Sequence, residues 1–252
     1  MKTVKVGNLV LGAGLPKVAV PITGKNEAEI LTQAKEIVQT KSADLVEWRL
    51  DFVEQLAPDQ SLSDLTEKLR QVLGTLPLLM TFRTKAEGGA KEYSEADYFK
   101  LNRYLLTEKL ADLVDLELFR DSFELSELIE LAHKQGVYIV MSNHDFDKTP
   151  ELAEMKRRLT LMQNFGADIL KIAVMPNSVN DVLKLLQATN ESAASLTHPL
   201  ITMAMGDLGK ISRVSGQLFG SCLTFGSVGQ ASAPGQIESQ MLRQILASLE
   251  IK

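Results

Sequence analysis

Lys171 lies in the middle of an apolar run, Ile169-Leu170-Lys171-Ile172-Ala173-Val174. An unpaired ammonium group is expensive to bury, so a lysine in a buried strand needs a partner or a reaction. One such reaction is attack of the neutral amine on a ketone, which gives an imine whose protonated form accepts the electron pair of an adjacent carbanion. A free lysine titrates near ~10.4, so roughly one amine in a thousand or fewer is neutral at pH 7. Desolvation and nearby positive charge both favour the nucleophilic form. The carbanion also needs a base that works near neutrality. His144, in Ser142-Asn143-His144-Asp145, has that chemistry, and Glu87, in Glu87-Gly88-Gly89, is able to orient or polarise it. Taken together, lysine, histidine and carboxylate make a Schiff-base lyase. Separately, each has a plainer reading: a lysine that snorkels from an edge strand, or a hydrogen-bonded structural histidine.

Other charges fall at strand-like spacing. Glu47 and Arg49 share one face of Leu45–Leu50, opposite Val46, Trp48 and Leu50, and are either a buried ion pair or a ligand site. Asp115 and Glu117 share a face of Leu113–Leu118 and suit partners of the reacting groups; Arg83 ends Leu78–Arg83. Met203 and Met205 read as packing. Several arginines imply an anionic substrate held by bidentate contacts. The glycine-bearing segments 206–210 and 226–235 admit a phosphate, whereas the long, small-residued and polar 230–236 segment suits a lid over a polyhydroxy ring.

The elements that must position these groups repeat. Val18–Ile22, Leu45–Leu50, Leu78–Arg83, Leu113–Leu118, Val137–Asn143, Ile169–Val174, Leu200–Met205 and Cys222–Val228 read as strands. They are followed in turn by helical spacing over Asn26–Lys41, Leu62–Leu73, Tyr98–Leu110, Leu125–His133, Leu152–Phe165, Val179–Ser195, Ile211–Phe219 and Ile237–Leu249. Eight units at a spacing of roughly thirty residues predict a (β/α)₈ TIM barrel, with an open doubly wound sheet as the competitor. No nucleotide fingerprint follows any strand: Gly12-Ala13-Gly14 is a turn. With no linker interrupting the alternation, residues 1–252 read as a single barrel domain. Lys2 to Val10 alternates around Gly7-Asn8 as a hairpin placed to close the barrel bottom. In such a barrel the reactive groups collect at the C-terminal ends of the strands, where these charges map to one mouth.

Composition bounds the partners. The chain has 252 residues, 45% hydrophobic and 23% charged, which is ordinary for a globular protein. A net charge of −5 without a basic tract argues against a nucleic-acid or membrane-surface partner. A single cysteine, Cys222, and no apolar leader segment point to a reducing cytoplasm.

At these residues the chain closely resembles the type I 3-dehydroquinate dehydratases. The resemblance rests on Glu47-Trp48-Arg49-Leu50-Asp51, Thr81-Phe82-Arg83-Thr84 with Glu87-Gly88-Gly89, Val114-Asp115-Leu116-Glu117, and Ser142-Asn143-His144-Asp145-Phe146. It continues through Lys171-Ile172-Ala173, Ile211-Ser212-Arg213 and the stretch from Gln230 to Gln236, in order along nearly the whole chain. It implies a cytoplasmic homodimeric barrel of the shikimate pathway, working without metal or cofactor on 3-dehydroquinate. By the same resemblance Lys171 forms the imine, His144 moves the protons and Glu87 assists. Arg213 holds the substrate carboxylate, and Glu47, Arg49, Arg83, Ser232 and Gln236 bind its other oxygens. Pro21 stands near where some relatives present a serine. A Schiff-base aldolase for phosphorylated sugars or keto acids is the competing enzyme, and a silent barrel that senses a cyclic acid the competing binder.

Overall fold

The apolar side chains divide into two separate cores, and the architecture follows from that division. In the computed structural model, which describes residues 3–229 and 231–251, strand residues pointing outward pack with the helices; Val46, Trp48, Met80, Leu116 and Ile172 are among them. Residues pointing inward near the strand starts, including Leu45, Leu79, Leu113, Val140 and Ile169, form the second core. A parallel sheet covered by helices and curled on itself has these two surfaces to bury. Lys2 and Gln230, the first residues of the expected hairpin and lid, lie outside the described residues.

The hairpin is β1 (Val4–Val6) and β2 (Leu9–Leu11), paired antiparallel. Gly7 in its turn has φ +58°, which glycine adopts without strain. Val4, Val6, Leu9 and Leu11 all join the inner core, so the hairpin stops the bottom of the barrel.

Eight strand–helix units follow. They are β3 (Lys17–Ile22) and α1 (Glu27–Thr40), β4 (Leu45–Arg49) and α2 (Gln60–Leu73), β5 (Leu78–Thr81) and α3 (Glu95–Thr107), and β6 (Leu113–Glu117) and α4 (Ser122–Gln135). Next come β7 (Tyr138–Asp145) and α5 (Leu152–Asn164), then β8 (Ile169–Val174) and α6 (Val179–Ser195). β9 (Leu200–Ala204) leads to the short α7 (Lys210–Val214) and α8 (Gly216–Phe219). β10 (Leu223–Ser227) leads through β11 (Ile237–Glu238) to α9 (Ser239–Ser248). From β3 to β9 each strand pairs in parallel with the next, and β10 pairs with β3. The junction between β9 and β10 has no full ladder. It is held by a bridge from Leu200 to Ser221, by the Cys222 amide on the Leu200 carbonyl at 2.7 Å, and by the Thr202 amide on Ser221 Oγ at 3.0 Å.

Several helices begin before their apolar spacing does. Asp59, Ser94 and Asp121 accept amide hydrogen bonds from the first turns of α2, α3 and α4, which are largely solvent-facing and carry no periodic signal. Two expected helices are corrected. The one over Ile211–Phe219 breaks at Ser215 into α7 and α8, where Gly216 packs so tightly that a Cβ would sit 2.6 Å from the Ser221 carbonyl oxygen. The one over Ile237–Leu249 starts only at Ser239, because Ile237 and Glu238 pair with Gly226 and Ser227 as a strand. Among the described residues no helix is long and apolar enough to cross a membrane.

Because Leu11 is fully buried in the inner core, Leu11→Ala is expected to cost about 2–5 kcal/mol of stability through lost burial and a residual cavity. Urea unfolding checks this; a midpoint equal to the wild type would mean that the hairpin does not stop the barrel.

Candidate active site

Partway up the strands the inner face turns from apolar to charged. Above Leu45 come Glu47 and Arg49, above Leu79 come Thr81 and Arg83, and above Leu113 come Asp115 and Glu117; above Val140 come Ser142 and His144, and above Ile169 comes Lys171. A cavity of about 200 Å³ opens at this level, less than the ~300–1,000 Å³ usual for drug-sized ligands, so the occupant is small. All nine candidate residues read from the sequence line it. They share it with Met203, Met205 and Phe225, so the two methionines form a wall of the cavity as well as packing.

Lys171 Nζ lies 3.3 Å from Asp115 Oδ2 and 3.8 Å from Glu47 Oε1, and 4.8 Å from the centre of the Phe225 ring. Carboxylates thus lie beside a lysine whose neighbours in the sequence are apolar. Burial alone would raise the Asp115 carboxyl. The charges of Arg83 and Lys171, with hydrogen bonds from Ser142 and Arg83, outweigh it and hold the group below the usual carboxylate range.

Glu87 enters on a tight 3₁₀ turn (Lys85–Glu87) that two glycines make possible. Gly88 has φ +80° and a Cβ there would fall 2.2 Å from the Phe146 ring; a Cβ on Gly89 would fall 1.9 Å from the Arg83 carbonyl oxygen. The turn sets Glu87 Oε2 3.0 Å from both the amide and Nδ1 of His144. An ionised carboxylate only accepts, so Nδ1 carries the hydrogen and Nε2 presents its lone pair. Burial, followed by the charges of Arg83, Lys171 and Arg49, pushes the imidazole well below its ordinary value, which leaves it neutral at pH 7. Burial also lifts Glu87 to about 7, against the pull of Arg83.

Arg83 is buried in the cavity wall. Its Nη1 reaches Glu87 at 3.3 Å and Glu117 at 3.1 Å, and its Nη2 reaches Asp115 at 2.7 Å. Burial opposes the charge, and the three carboxylates more than restore it. Glu47 and Arg49 do not form the ion pair that the sequence left open. Arg49 grips Asp51 through two bonds of 2.8 Å, while Glu47 accepts from Thr81 Oγ1 at 2.9 Å.

Arg213 differs from every other arginine among the described residues, since it has no carboxylate partner. Nη2 donates to the Pro234 carbonyl at 2.9 Å, and Nε is buried without a partner. Burial pulls the guanidinium down to about 10, still charged at neutral pH, so an anion entering the cavity meets an uncompensated donor. The described part of the expected lid lies over this side. Ser232 and Gln236 exchange two hydrogen bonds, of 2.9 and 3.0 Å, and Gly235 touches the Gly206 backbone so closely that a Cβ would lie 2.3 Å away. This contact bears on the phosphate reading. The Gly206 amide is directed to Pro234 at 3.3 Å and the Gly209 amide to Gly206 at 3.2 Å, so these two glycine amides are already occupied within the protein.

A family model for type I 3-dehydroquinase matches residues 18–252. The chain belongs to the type I 3-dehydroquinase family. It is 48% identical over 248 residues to the 3-dehydroquinate dehydratase of Lactiplantibacillus plantarum, covering 98% of each chain. To the same enzyme of Enterococcus faecalis it is 49% identical over 251 residues, covering 99% of each. The crystal structure of the type I enzyme from Clostridium difficile, with covalently modified comenic acid, superposes with a TM-score of 0.94 at 44% identity, covering 98% of each chain. The 3-hexulose-6-phosphate synthase of Salmonella typhimurium, with a TM-score of 0.60 at 15% identity, covering 92% of this chain and 99% of that one, shares the barrel alone.

Sequence reasoning gave no role to Asp51, Ser142, Asn143 or Phe225. Asp51, Ser142 and Asn143 touch the site through other residues, and Phe225 reads as an ordinary strand hydrophobe. The Asn143 signal was its place beside His144. Among the described residues no group of three or more His, Cys, Asp or Glu is placed to hold a metal ion.

Burial and the surrounding cations hold the His144 imidazole well below its ordinary value, so the ring stays uncharged where an ordinary histidine takes up its proton. The His144 ¹⁵N shifts are therefore expected to stay those of a neutral ring from pH 8 to below the ordinary histidine value of ~6.5, with the hydrogen on Nδ1 while Glu87 is ionised. A ring that titrates at that value would contradict the assigned electrostatics.

Proposed function

We propose that the chain dehydrates 3-dehydroquinate to 3-dehydroshikimate through an imine on Lys171. The observation that carries the proposal is one small cavity holding an amine, a neutral imidazole oriented by a carboxylate, and a guanidinium with no carboxylate of its own. Arg213 binds the substrate carboxylate, and Glu47, Arg49, Arg83, Ser232 and Gln236 meet its hydroxyl and carbonyl oxygens. Deprotonated Lys171 attacks the ketone, and loss of water from the adduct gives the imine. Asp115, kept ionised, stays beside the nitrogen and stabilises its positive charge. His144 Nε2 removes the proton on the adjacent carbon, and the electron pair moves into the iminium as an enamine. Return of that pair expels the hydroxyl, which takes the same proton from His144 and leaves as water; hydrolysis of the remaining imine frees product and Lys171. One histidine acting twice from one side of the ring fits a syn elimination. The dense ion pairing around Arg83 fits groups that must not move between these steps.

The biological setting follows the same reading: a cytoplasmic homodimer of the shikimate pathway, acting on a small molecule without nucleic-acid or membrane partners. Equilibrium sedimentation is expected to give twice the chain mass, and a monomer at micromolar concentration would remove the dimer from the proposal.

Incubation with 3-dehydroquinate and borohydride, then peptide mapping, should place a reduced adduct on the peptide containing Lys171. Lys171→Ala should abolish both adduct and turnover in a folded protein. His144→Ala should still form the adduct while turnover falls by about 10²–10⁴. Dehydration without an adduct would refute the imine, and binding with neither adduct nor dehydration would favour the silent binder. Cleavage of a phosphorylated sugar or keto acid, inhibited by phosphate, would select the aldolase.

A further inference from the structure

Only one oxygen of Glu87 faces the imidazole. Oε2 receives His144 Nδ1 and the His144 amide at 3.0 Å and Arg83 at 3.3 Å, whereas Oε1 receives Asn143 Nδ2 at 2.9 Å. Asn143 lies between the inward residues Ser142 and His144 on β7, so its side chain leaves the strand on the helix side, where it is buried and outside the cavity lining. Its other amide atom, Oδ1, receives Arg158 Nη1 from α5 at 2.6 Å. The Arg158 guanidinium is fixed in turn, by Glu154 at 2.7 Å and over the Phe119 ring at 5.3 Å.

A primary amide can turn by 180° and exchange donor for acceptor, so its neighbours decide its direction. Arginine has no acceptor atom. Arg158 therefore holds Oδ1 toward itself and the N–H toward Glu87. An ionised Glu87 accepts that hydrogen; a carboxyl protonated on Oε1 would meet it hydrogen to hydrogen. We propose that Arg158, acting through Asn143, keeps Glu87 a hydrogen-bond acceptor, so that His144 holds its proton on Nδ1 and offers Nε2 to the substrate. Both are positioning residues, and their role rests on the base function proposed for His144. The other charges facing Glu87 are Arg83 at the end of β5, Glu117 on β6, Arg120 after it and His144 on β7, with Lys171 and Arg49 acting on the imidazole. Among the described residues none of these bonds to Oε1.

The test compares Arg158→Gln, which can donate or accept and so releases the amide, with Arg158→Lys, which only donates. Each protein is checked for folding by circular dichroism and thermal midpoint. kcat and KM for 3-dehydroquinate are measured against pH, and imidazole ¹⁵N shifts are recorded on the ligand-free proteins, each with three histidines to assign. Arg158→Gln is expected to lower kcat at neutral pH about tenfold with KM changed less than about twofold, since a charge-assisted contact is weakened away from the substrate. Its acid limb should move up by about half a pH unit to one, and the His144 ring should lose its Nδ1–H preference. Arg158→Lys should return both readouts toward the wild type. An unmoved limb and an unmoved tautomer in Arg158→Gln would overturn the proposal, as would a folded Arg158→Lys that behaves like the glutamine variant. If the wild type does not dehydrate 3-dehydroquinate, the proposed function fails on that result, and the ¹⁵N shifts still decide whether Arg158 sets the tautomer.

Discussion

Three carboxylates converge on Arg83, and each has a second partner that matters to the chemistry. Glu87 continues to His144, Asp115 continues to Lys171, and Glu117 fixes Thr84 and Arg120. Burying so many charges is tolerable only because they are mutually paired: breaking a buried pair typically costs ~3–5 kcal/mol, since the survivor stays desolvated. The arginine therefore couples the amine side of the cavity to the imidazole side. Neither can shift without disturbing the guanidinium that the other side's carboxylate also depends on, and such rigidity suits a reaction in which groups must hold their places between steps.

The network stands on an apolar floor. Along β4 to β8 the inward residues near the base are hydrophobes sealed by the N-terminal hairpin, and polar or charged side chains begin only above them, whereas β9 and β10 stay apolar through Met203 and Phe225. Had the charged layer been one step lower, carboxylates would face Val4, Val6, Leu9 and Leu11 with no water or counter-ion. Had it been one step higher, water would enter between Lys171 and Asp115 and weaken every pairing by raising the local dielectric. The period of two along the strands thus fixes both the fold and the depth of the site.

That period is also why so much was legible. Leu45–Leu50 displayed Glu47 and Arg49 on one face and Val46, Trp48 and Leu50 on the other in the bare sequence, and the structure keeps that division. Pairing across strands was not legible. Arg49 prefers Asp51, just beyond its own strand, and Arg83 takes partners from β6 and from the turn after β5; no local pattern announces either. The solvent-facing starts of α2, α3 and α4 stayed hidden because caps act through single hydrogen bonds and leave no period. Ile237 and Glu238 escaped for a related reason: two residues are too few to separate a strand from the first turn of a helix. Asn143 was visible as a letter beside His144, but its work depends on Arg158, which lies fifteen positions further along and on another layer.

Seven of the eight strand junctions carry continuous parallel ladders, and the eighth, between β9 and β10, rests on one bridge and a serine hydroxyl. Ring closure is thus a clasp, and local opening begins where the fewest backbone bonds must break. The two banks of that clasp carry different parts of the cavity lining. Arg213 follows β9 on α7, and the segment with Ser232 and Gln236 follows β10. A carboxylate ligand held from both banks acts as a staple across the weakest junction of the barrel. Its binding energy then appears partly as resistance to opening, so slower amide exchange along β9 and β10 is the mark that occupancy leaves on the scaffold.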